Sequence, residues 1–322
     1  MKYHLKGNLM KRFVCSRKNL VAALLATFLS FGILSPNIVA QKPDQQTVEA
    51  KYPGLASGLL GSAGLEPMDA AVLLVADGLK INRAELTGMV EKQEPKLRRQ
   101  LEKNLFFLLE QEATVRILLK EAERAGVSFK DGDKNRAIQT FFDRKSASVS
   151  VSSDEARAFY KANKEAVGSS PFEQVEGEIR QYLLQNKKQE VVASYIASLK
   201  DSLHIRVNEK WVESQSRLAM DNIVDKARNS KKPTMVEFGA TGCVPCDMMQ
   251  PILDKLRKKY PGRLNVVFVH VGEEQVLAAR YGIRSIPVQV FFSAAGKEVF
   301  RHVGFFPENE VEKKLAQIGI GK

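Results

Sequence analysis

Residues 234–246 read Thr-Met-Val-Glu-Phe-Gly-Ala-Thr-Gly-Cys-Val-Pro-Cys. Thr234 to Phe238 is a short apolar strand interrupted by one acid, Glu237. Gly239-Ala240-Thr241-Gly242 forms a loop, and Cys243 stands where the next helix begins. That helix carries Met248, Met249, Ile252, Leu253 and Leu256 at helical spacings and ends near Tyr260-Pro261-Gly262.

The chain has three cysteines, and the third, Cys15, lies far upstream in a segment that reads as an export signal. A disulfide across two residues closes too short a loop to constrain the unfolded chain much, because that stabilisation grows with loop length. The same spacing suits a dithiol that trades electrons with other thiols. Structural zinc needs four ligands, and there is neither a second cysteine pair nor a nearby pair of histidines. Haem attachment needs His after the second cysteine, where Asp247 stands. Cys243 and Cys246 therefore read as a redox pair that uses no metal and no cofactor beyond its own disulfide. His204, His270 and His302 are isolated and read as structural or exposed.

Downstream, Val266-Val267-Phe268-Val269 is a continuous apolar run, expected as a central strand covered on both faces. A short helix is expected over 275–281, and Val288–Phe292 with Glu298–Gly304 reads as an antiparallel hairpin turned at Ala295-Gly296-Lys297. Glu308–Ile318 closes the pattern as an amphipathic helix. Residues 216–322 resemble thioredoxin along that whole length. The resemblance rests on the cysteine pair, Pro251 five residues beyond it, Tyr281-Gly282-Ile283-Arg284-Ser285-Ile286-Pro287, and Gly304 after the hairpin.

The resemblance implies an α/β fold with a central mixed sheet and a division of roles. Cys243, at a helix N-terminus whose dipole and free N–H groups favour a thiolate, is expected to attack a substrate disulfide. Cys246, one turn further in, is expected to resolve the mixed disulfide. Glu237 matches a buried acid, usually Asp, that takes the Cys246 proton. Pro287 matches a cis-proline that faces the cysteines and offers the backbone of Ile286 to an extended substrate. Gly242, Val244 and Pro245 complete the expected binding rim. Gly242 stands where the family usually has Trp, and the lysine that often accompanies the buried acid has no counterpart in Asn265–Val271, where His270 is the nearest titratable group. Trp211 is read as a packing residue in the linker between domains.

The rest of the chain reads as a second, all-α domain. Val72–Val75, the Asp77-Gly78 turn and Leu79-Lys80-Ile81 lead to Asn82 and Glu85, spaced as a capping box. One long helix is expected from Pro95 to Gly126, with Leu97, Leu101, Leu105, Leu108, Leu109, Val115, Leu118 and Leu119 on a broad apolar face. Further helices are expected at 134–144, 153–163 and 172–199, then a strand at Leu203–Val207. Leu118–Val127, Val151-Ser152-Ser153-Asp154-Glu155 and Pro171-Phe172-Glu173-Gln174-Val175 through Leu183 resemble the helical domain of SurA-type folding factors, over 73–208. Only Glu165–Ser170 stands where many relatives insert a parvulin domain, so the resemblance implies binding of unfolded polypeptide and not isomerisation of prolines. The alternative is an all-helical spacer.

Residues 1–40 order a basic n-region, an apolar run Leu20–Leu34 and the small-residue end Ile38-Val39-Ala40 as a secretory signal does. About 15 apolar residues fall short of the roughly 20 a membrane span needs; an uncleaved anchor is the alternative. Six basic residues and no acidic one lie in 1–40, so the +12 of the chain falls to +6 over 41–322. That mild excess lacks any basic stripe interleaved with aromatics, which argues against nucleic acid. Residues 41–72 read as a flexible linker. A periplasmic or otherwise extracytoplasmic protein is expected, with disulfide-bearing clients and a membrane electron donor. Reductase or isomerase is favoured, because Val244-Pro245 adds no charge to favour a thiolate. An oxidase and a non-enzymatic chaperone remain open.

Overall fold

The computed structural model describes residues 46–128, 133–162 and 170–321. The expected export signal, Cys15, residues 41–45 and 165–169 lie outside them. The chain divides into two compact units, one of residues 115–194 and one joining the described residues 46–114 to 195–321. These units do not follow the expected boundaries of 73–208 and 216–322. The N-terminal third folds together with the C-terminal fold.

Within the larger unit, the stretch expected to be a flexible linker is ordered from residue 46. Helix α1 (Val48–Lys51) is capped by Thr47, a 3-10 turn spans Leu59–Ser62, and strand β1 (Gly64–Glu66) follows. Val48, Leu55, Leu59 and Leu60 are buried. The Gly/Ser-rich backbone between them wraps the buried carboxylate of Glu110, which accepts from the N–H groups of Ser57, Gly58 and Leu60 and from Ser57 Oγ at 2.7–3.0 Å. Composition suggested a linker, but the apolar anchors and a distant acid hold it in place.

Nor is this region all-α. β1 runs parallel to β4 (Arg206–Asn208), which pairs antiparallel with β2 (Val72–Ala76), itself hairpinned to β3 (Leu79–Asn82). The sheet order is β1-β4-β2-β3. The Asn82/Glu85 capping box opens α2 (Arg83–Glu91). The single long helix is in fact two, α3 (Pro95–Glu102) and α4 (Leu105–Arg124). They part at Asn104, whose amide donates to the Gln100 carbonyl and whose Oδ1 accepts from Arg280, so its side chain competes with the helical ladder.

The smaller unit holds the C-terminal half of α4, α5 (Lys134–Lys145), α6 (Ser153–Ala162) and most of α7 (Phe172–Ser202). Ser152 and Glu155 exchange capping hydrogen bonds at the start of α6. Ala156, Phe172 and Ile179 form its buried cluster, with Phe159, Tyr160, Val175 and Leu183 packed around them.

Beyond β4, Trp211 lies in helix α8 (Glu209–Ala219), not in a linker, and is buried near Phe106 with ring centroids 6.4 Å apart. Helix α9 (Ile223–Arg228) precedes a second sheet, β5 (Thr234–Gly239), β6 (Asn265–His270), β7 (Val288–Phe292) and β8 (Glu298–Val303). Its order is β6-β5-β7-β8, with β5–β6 parallel and the other pairs antiparallel. β6 is thus an edge strand, not the central one its apolar run suggested. Both of its faces are apolar because helices cover both faces of the sheet.

Alternation along the strands sorts the two faces. Met235 and Phe291 pack with α10 (Val244–Lys259) and α12 (Glu308–Gln317) through Met249, Leu253, Val311 and Leu315. Val236, Phe238, Val290 and Phe292 pack on the other face with Val224 of α9 and Leu277 and Tyr281, from and just beyond α11 (Gln275–Arg280). On that side the fully buried Asp225 accepts from the Tyr281 hydroxyl at 2.8 Å and meets Arg280 at 3.3 Å. Burial and the neighbouring Asp225 push the Tyr281 phenol well up.

Candidate functional site

β5 ends at Gly239, and the loop 240–242 carries the chain to Cys243, the N-cap of α10. Gly242 sits at φ +77°, in the left-handed region that glycine enters without strain. The first helical bond runs from the Asp247 N–H to the Cys243 carbonyl at 2.9 Å. Pro245 lies in the first turn, where its missing N–H costs nothing. Cys243 and Cys246 are joined by a disulfide, with Cα atoms 5.2 Å apart. Cys243 is partly exposed, Cys246 is buried and Val244 stands out with 71 % of its surface accessible. The cysteine at the helix terminus is the one an incoming sulfur can reach.

The residues beneath this helix follow from register. Gly239 lies on the α10 face two positions beyond Glu237, and a Cβ placed on it would meet Cys246 Sγ at 3.5 Å and Phe268 at 3.0 Å. Glu237 shares that face with Met235 and Gly239 and is fully buried. Neither of its carboxylate oxygens has a hydrogen-bond partner among the described residues. Burial raises its pKa to about 8, against a smaller downward pull from Gln289, its cross-strand neighbour on β7. Gln289 is buried on the same face, and its polar atoms are likewise without a partner among the described residues.

The Ile286–Pro287 peptide is cis. Phe238 pairs with Val288, so Pro287 falls one position further along, level with Gly239 and the approach to the cysteines. The Pro287 carbonyl accepts from the Gly304 N–H at 2.8 Å, which ties this turn to the end of β8. Pro287 is buried and Ile286 is partly exposed beside it.

Two further residues belong to this site, His270, expected to be structural or exposed, and Gln289, which the sequence does not single out. His270, opposite Gly239 on β6, takes the Thr241 backbone N–H on Nε2 at 3.2 Å and so holds the loop that delivers Cys243. Gln289 reads in sequence as one polar residue in an apolar strand. Only its register with Glu237 gives it meaning. No cluster of His, Cys, Asp and Glu among the described residues has the makings of a metal site, and no described helix is long and apolar enough to cross a membrane.

Residues 214–317 match the family model described as Thioredoxin. Thioredoxin of Chlorobaculum thiosulfatiphilum is 34% identical over 106 residues, which cover 33% of this chain and 94% of that protein. The chain belongs to the thioredoxin family. Thioredoxin 2 of Chlorobaculum tepidum is 39% identical over 27% of this chain and 79% of its own length. Among solved structures, thioredoxin NaTrxh from Nicotiana alata is 32% identical over 30% of this chain and 80% of that chain, with a TM-score of 0.27. The protein is accordingly a thiol–disulfide oxidoreductase with a thioredoxin domain at its C-terminal end. The thioredoxin match does not extend to the residues before 214.

Proposed function

We propose that this protein works outside the cytoplasm as a reductase or isomerase of protein disulfides, acting through Cys243-Val244-Pro245-Cys246. The observation that carries the reading is the disulfide at the start of α10, with one sulfur partly open to solvent and the other buried. In the reduced protein the Cys243 thiolate attacks a client disulfide. A Cys243–client S–S bond forms, the client's own S–S bond breaks, and one client thiolate leaves. Cys246 then passes its proton to Glu237, and its thiolate attacks Cys243 Sγ. The second client thiolate is expelled, the client has gained two electrons, and the Cys243–Cys246 disulfide remains. Pro287 and Ile286 offer backbone to the extended client, with Gly242, Val244 and Pro245 as the rim.

Reduction is favoured over oxidation because the residues around the pair do little to stabilise a Cys243 thiolate beyond the helix terminus itself. Val244 and Pro245 carry no charge, and Asp247 puts a negative one in the first turn. A dithiol that stabilises its reduced form weakly is the better reductant. Turnover then needs an electron donor, for which a membrane protein carrying electrons across the inner membrane is the class of choice. The export signal read in residues 1–40 supports the periplasm or an equivalent compartment as the place of this chemistry. The SurA-like resemblance over 73–208 supports a role for the helices in binding unfolded clients, and carrying them on the same chain as Cys243 raises their effective concentration at the cysteine pair.

The test is the reduction potential of the purified chain, read by equilibration in glutathione buffers and thiol alkylation. A value near that of thioredoxin, about −270 mV, supports the reductase. A value near about −120 mV, that of strong oxidants such as DsbA, overturns it in favour of disulfide formation. A pair that never equilibrates overturns the catalytic reading and leaves a binding module.

A further inference from the structure

Gln289 occupies the register position opposite Glu237 on the antiparallel neighbour of β5. Phe291, two residues on, packs into the α10 cluster, and Met235, two residues before Glu237, does the same. Side chains two apart on a strand share a face, so Gln289 and Glu237 meet beneath the helix that carries Cys246. Both are fully buried, and neither has a hydrogen-bond partner for its side-chain oxygens or nitrogen among the described residues. Directly opposed Cβ atoms of an antiparallel pair stand about 4.5–5.5 Å apart, so a modest side-chain rotation brings carboxamide and carboxyl into contact. A buried, unpaired carboxamide is costly, and leucine would fill the same space without that cost. Stability alone gives no reason for glutamine here.

We propose that Gln289 is a positioning residue for the proton exchange between Cys246 and Glu237. The proposal rests on the thiol–disulfide exchange set out above. A carboxamide offers both a donor and an acceptor, so it can match either state of the acid. Against the Glu237 carboxylate, Gln289 donates an N–H. When Cys246 passes its proton across, the S–H bond breaks and an O–H bond forms on Glu237. Gln289 then turns its oxygen to accept from that O–H, while the electron pair left on Cys246 Sγ attacks Cys243 and expels the client thiolate. The opposing pulls of burial and Gln289 on Glu237 agree with this arrangement. With no lysine beside the acid in β6, this amide is the polar group that steadies its charge.

The experiment uses the reduced full chain carrying Cys15→Ser, so that Cys243 and Cys246 are its only thiols, and Ellman's reagent, with stopped-flow detection of thionitrobenzoate. The first equivalent reports attack by Cys243 and the second reports resolution by Cys246. Rates are taken across pH for the wild type, Gln289→Leu, Gln289→Asn, Glu237→Gln and the double variant E237Q/Q289L. Gln289→Leu should move the inflection of the second release to higher pH by about one unit, a roughly tenfold loss of rate on the rising limb. The first release should stay where it is, and Gln289→Asn should recover part of the shift. In the Glu237→Gln background, Gln289→Leu should change nothing. An unmoved inflection in Gln289→Leu, or an equal slowing when Glu237 is already replaced, overturns the proposal. A wild type that releases only one equivalent overturns the exchange reading itself and the proposal with it. If Gln289→Leu does not fold, Gln289→Met carries the same comparison.

Discussion

The Thr241 backbone N–H donates to His270 Nε2 at 3.2 Å, and this bond joins the loop before Cys243 to the edge strand β6. Nε2 must therefore carry a lone pair, which puts the ring proton on Nδ1, a buried atom with no partner among the described residues. A histidine held in one tautomer at such a cost anchors the loop against β6. His270→Ala should release the loop, lower turnover of a protein disulfide about tenfold, and cost no more than about 1–2 kcal/mol of stability. Amide exchange at Thr241 checks it. Protection equal to wild type in His270→Ala would show that the imidazole does not hold the loop.

Gly239 supplies a second, steric test. A methyl group there would sit 3.0 Å from Phe268 Cε2, 3.4 Å from Cys246 Cβ and 3.5 Å from Cys246 Sγ. The Phe268 contact is tighter than side chains ordinarily tolerate, so the ring or the helix must give. Gly239→Ala should destabilise the oxidised protein by about 1–3 kcal/mol, the usual cost of overpacking, and slow the resolving step. Melting of oxidised and reduced forms, measured side by side, checks it. Equal stability of wild type and variant in both forms would mean that the site yields freely.

Glu237 makes stability depend on pH with a definite sign. Its folded pKa of about 8 lies above the ordinary carboxyl value because burial disfavours the charge. Between the two values the folded chain holds a proton that the unfolded chain has lost, so stability falls as pH rises through that window. The loss is complete only above about pH 8 and is on the order of 5 kcal/mol. Glu237→Leu should remove this dependence, stabilising the oxidised protein most at alkaline pH and least below about pH 4.5. Denaturation at several pH values decides it, and a pH-independent difference between the two proteins would show that the acid is not buried in its neutral form.

What could be read in the sequence divides along a physical line. Cys243 and Cys246 stand out by their spacing alone, whereas the cis bond before Pro287 is expected from the thioredoxin resemblance and the positive φ of Gly242 is not read in the sequence at all. Glu237 could be found as an acid in an apolar strand. Its cross-strand neighbour Gln289 could not, because their register depends on how β5 and β7 are paired. His270 reads in sequence only as structural or exposed, because its partner Thr241 is brought near by the β5–β6 ladder. The compact units cut across the expected 73–208 and 216–322 because α3 docks on α11, where Gln100 takes the Val276 N–H and donates to the Glu273 carbonyl. Contacts 173–176 residues apart leave no periodicity to read.

The ordering of residues 46–66 offers the last test. Glu110 is almost wholly buried and accepts four hydrogen bonds, three from backbone N–H groups and one from Ser57 Oγ. A carboxylate so placed organises the strand-poor segment around itself, much as an anion organises a nest of N–H groups. Glu110→Ala removes every acceptor at once and leaves the partly buried donors of Ser57 and Gly58 and the buried N–H of Leu60 unpaired, a change worth about 2–4 kcal/mol. Glu110→Gln keeps one acceptor oxygen and should cost about half as much. Because Leu59 and Leu60 are buried beside this cradle, the alanine variant should expose the segment around residues 55–62 to limited proteolysis while the Cys243–Cys246 pair still cycles. If cleavage there is no faster than in wild type, the leucines alone hold the segment and Glu110 is dispensable to it.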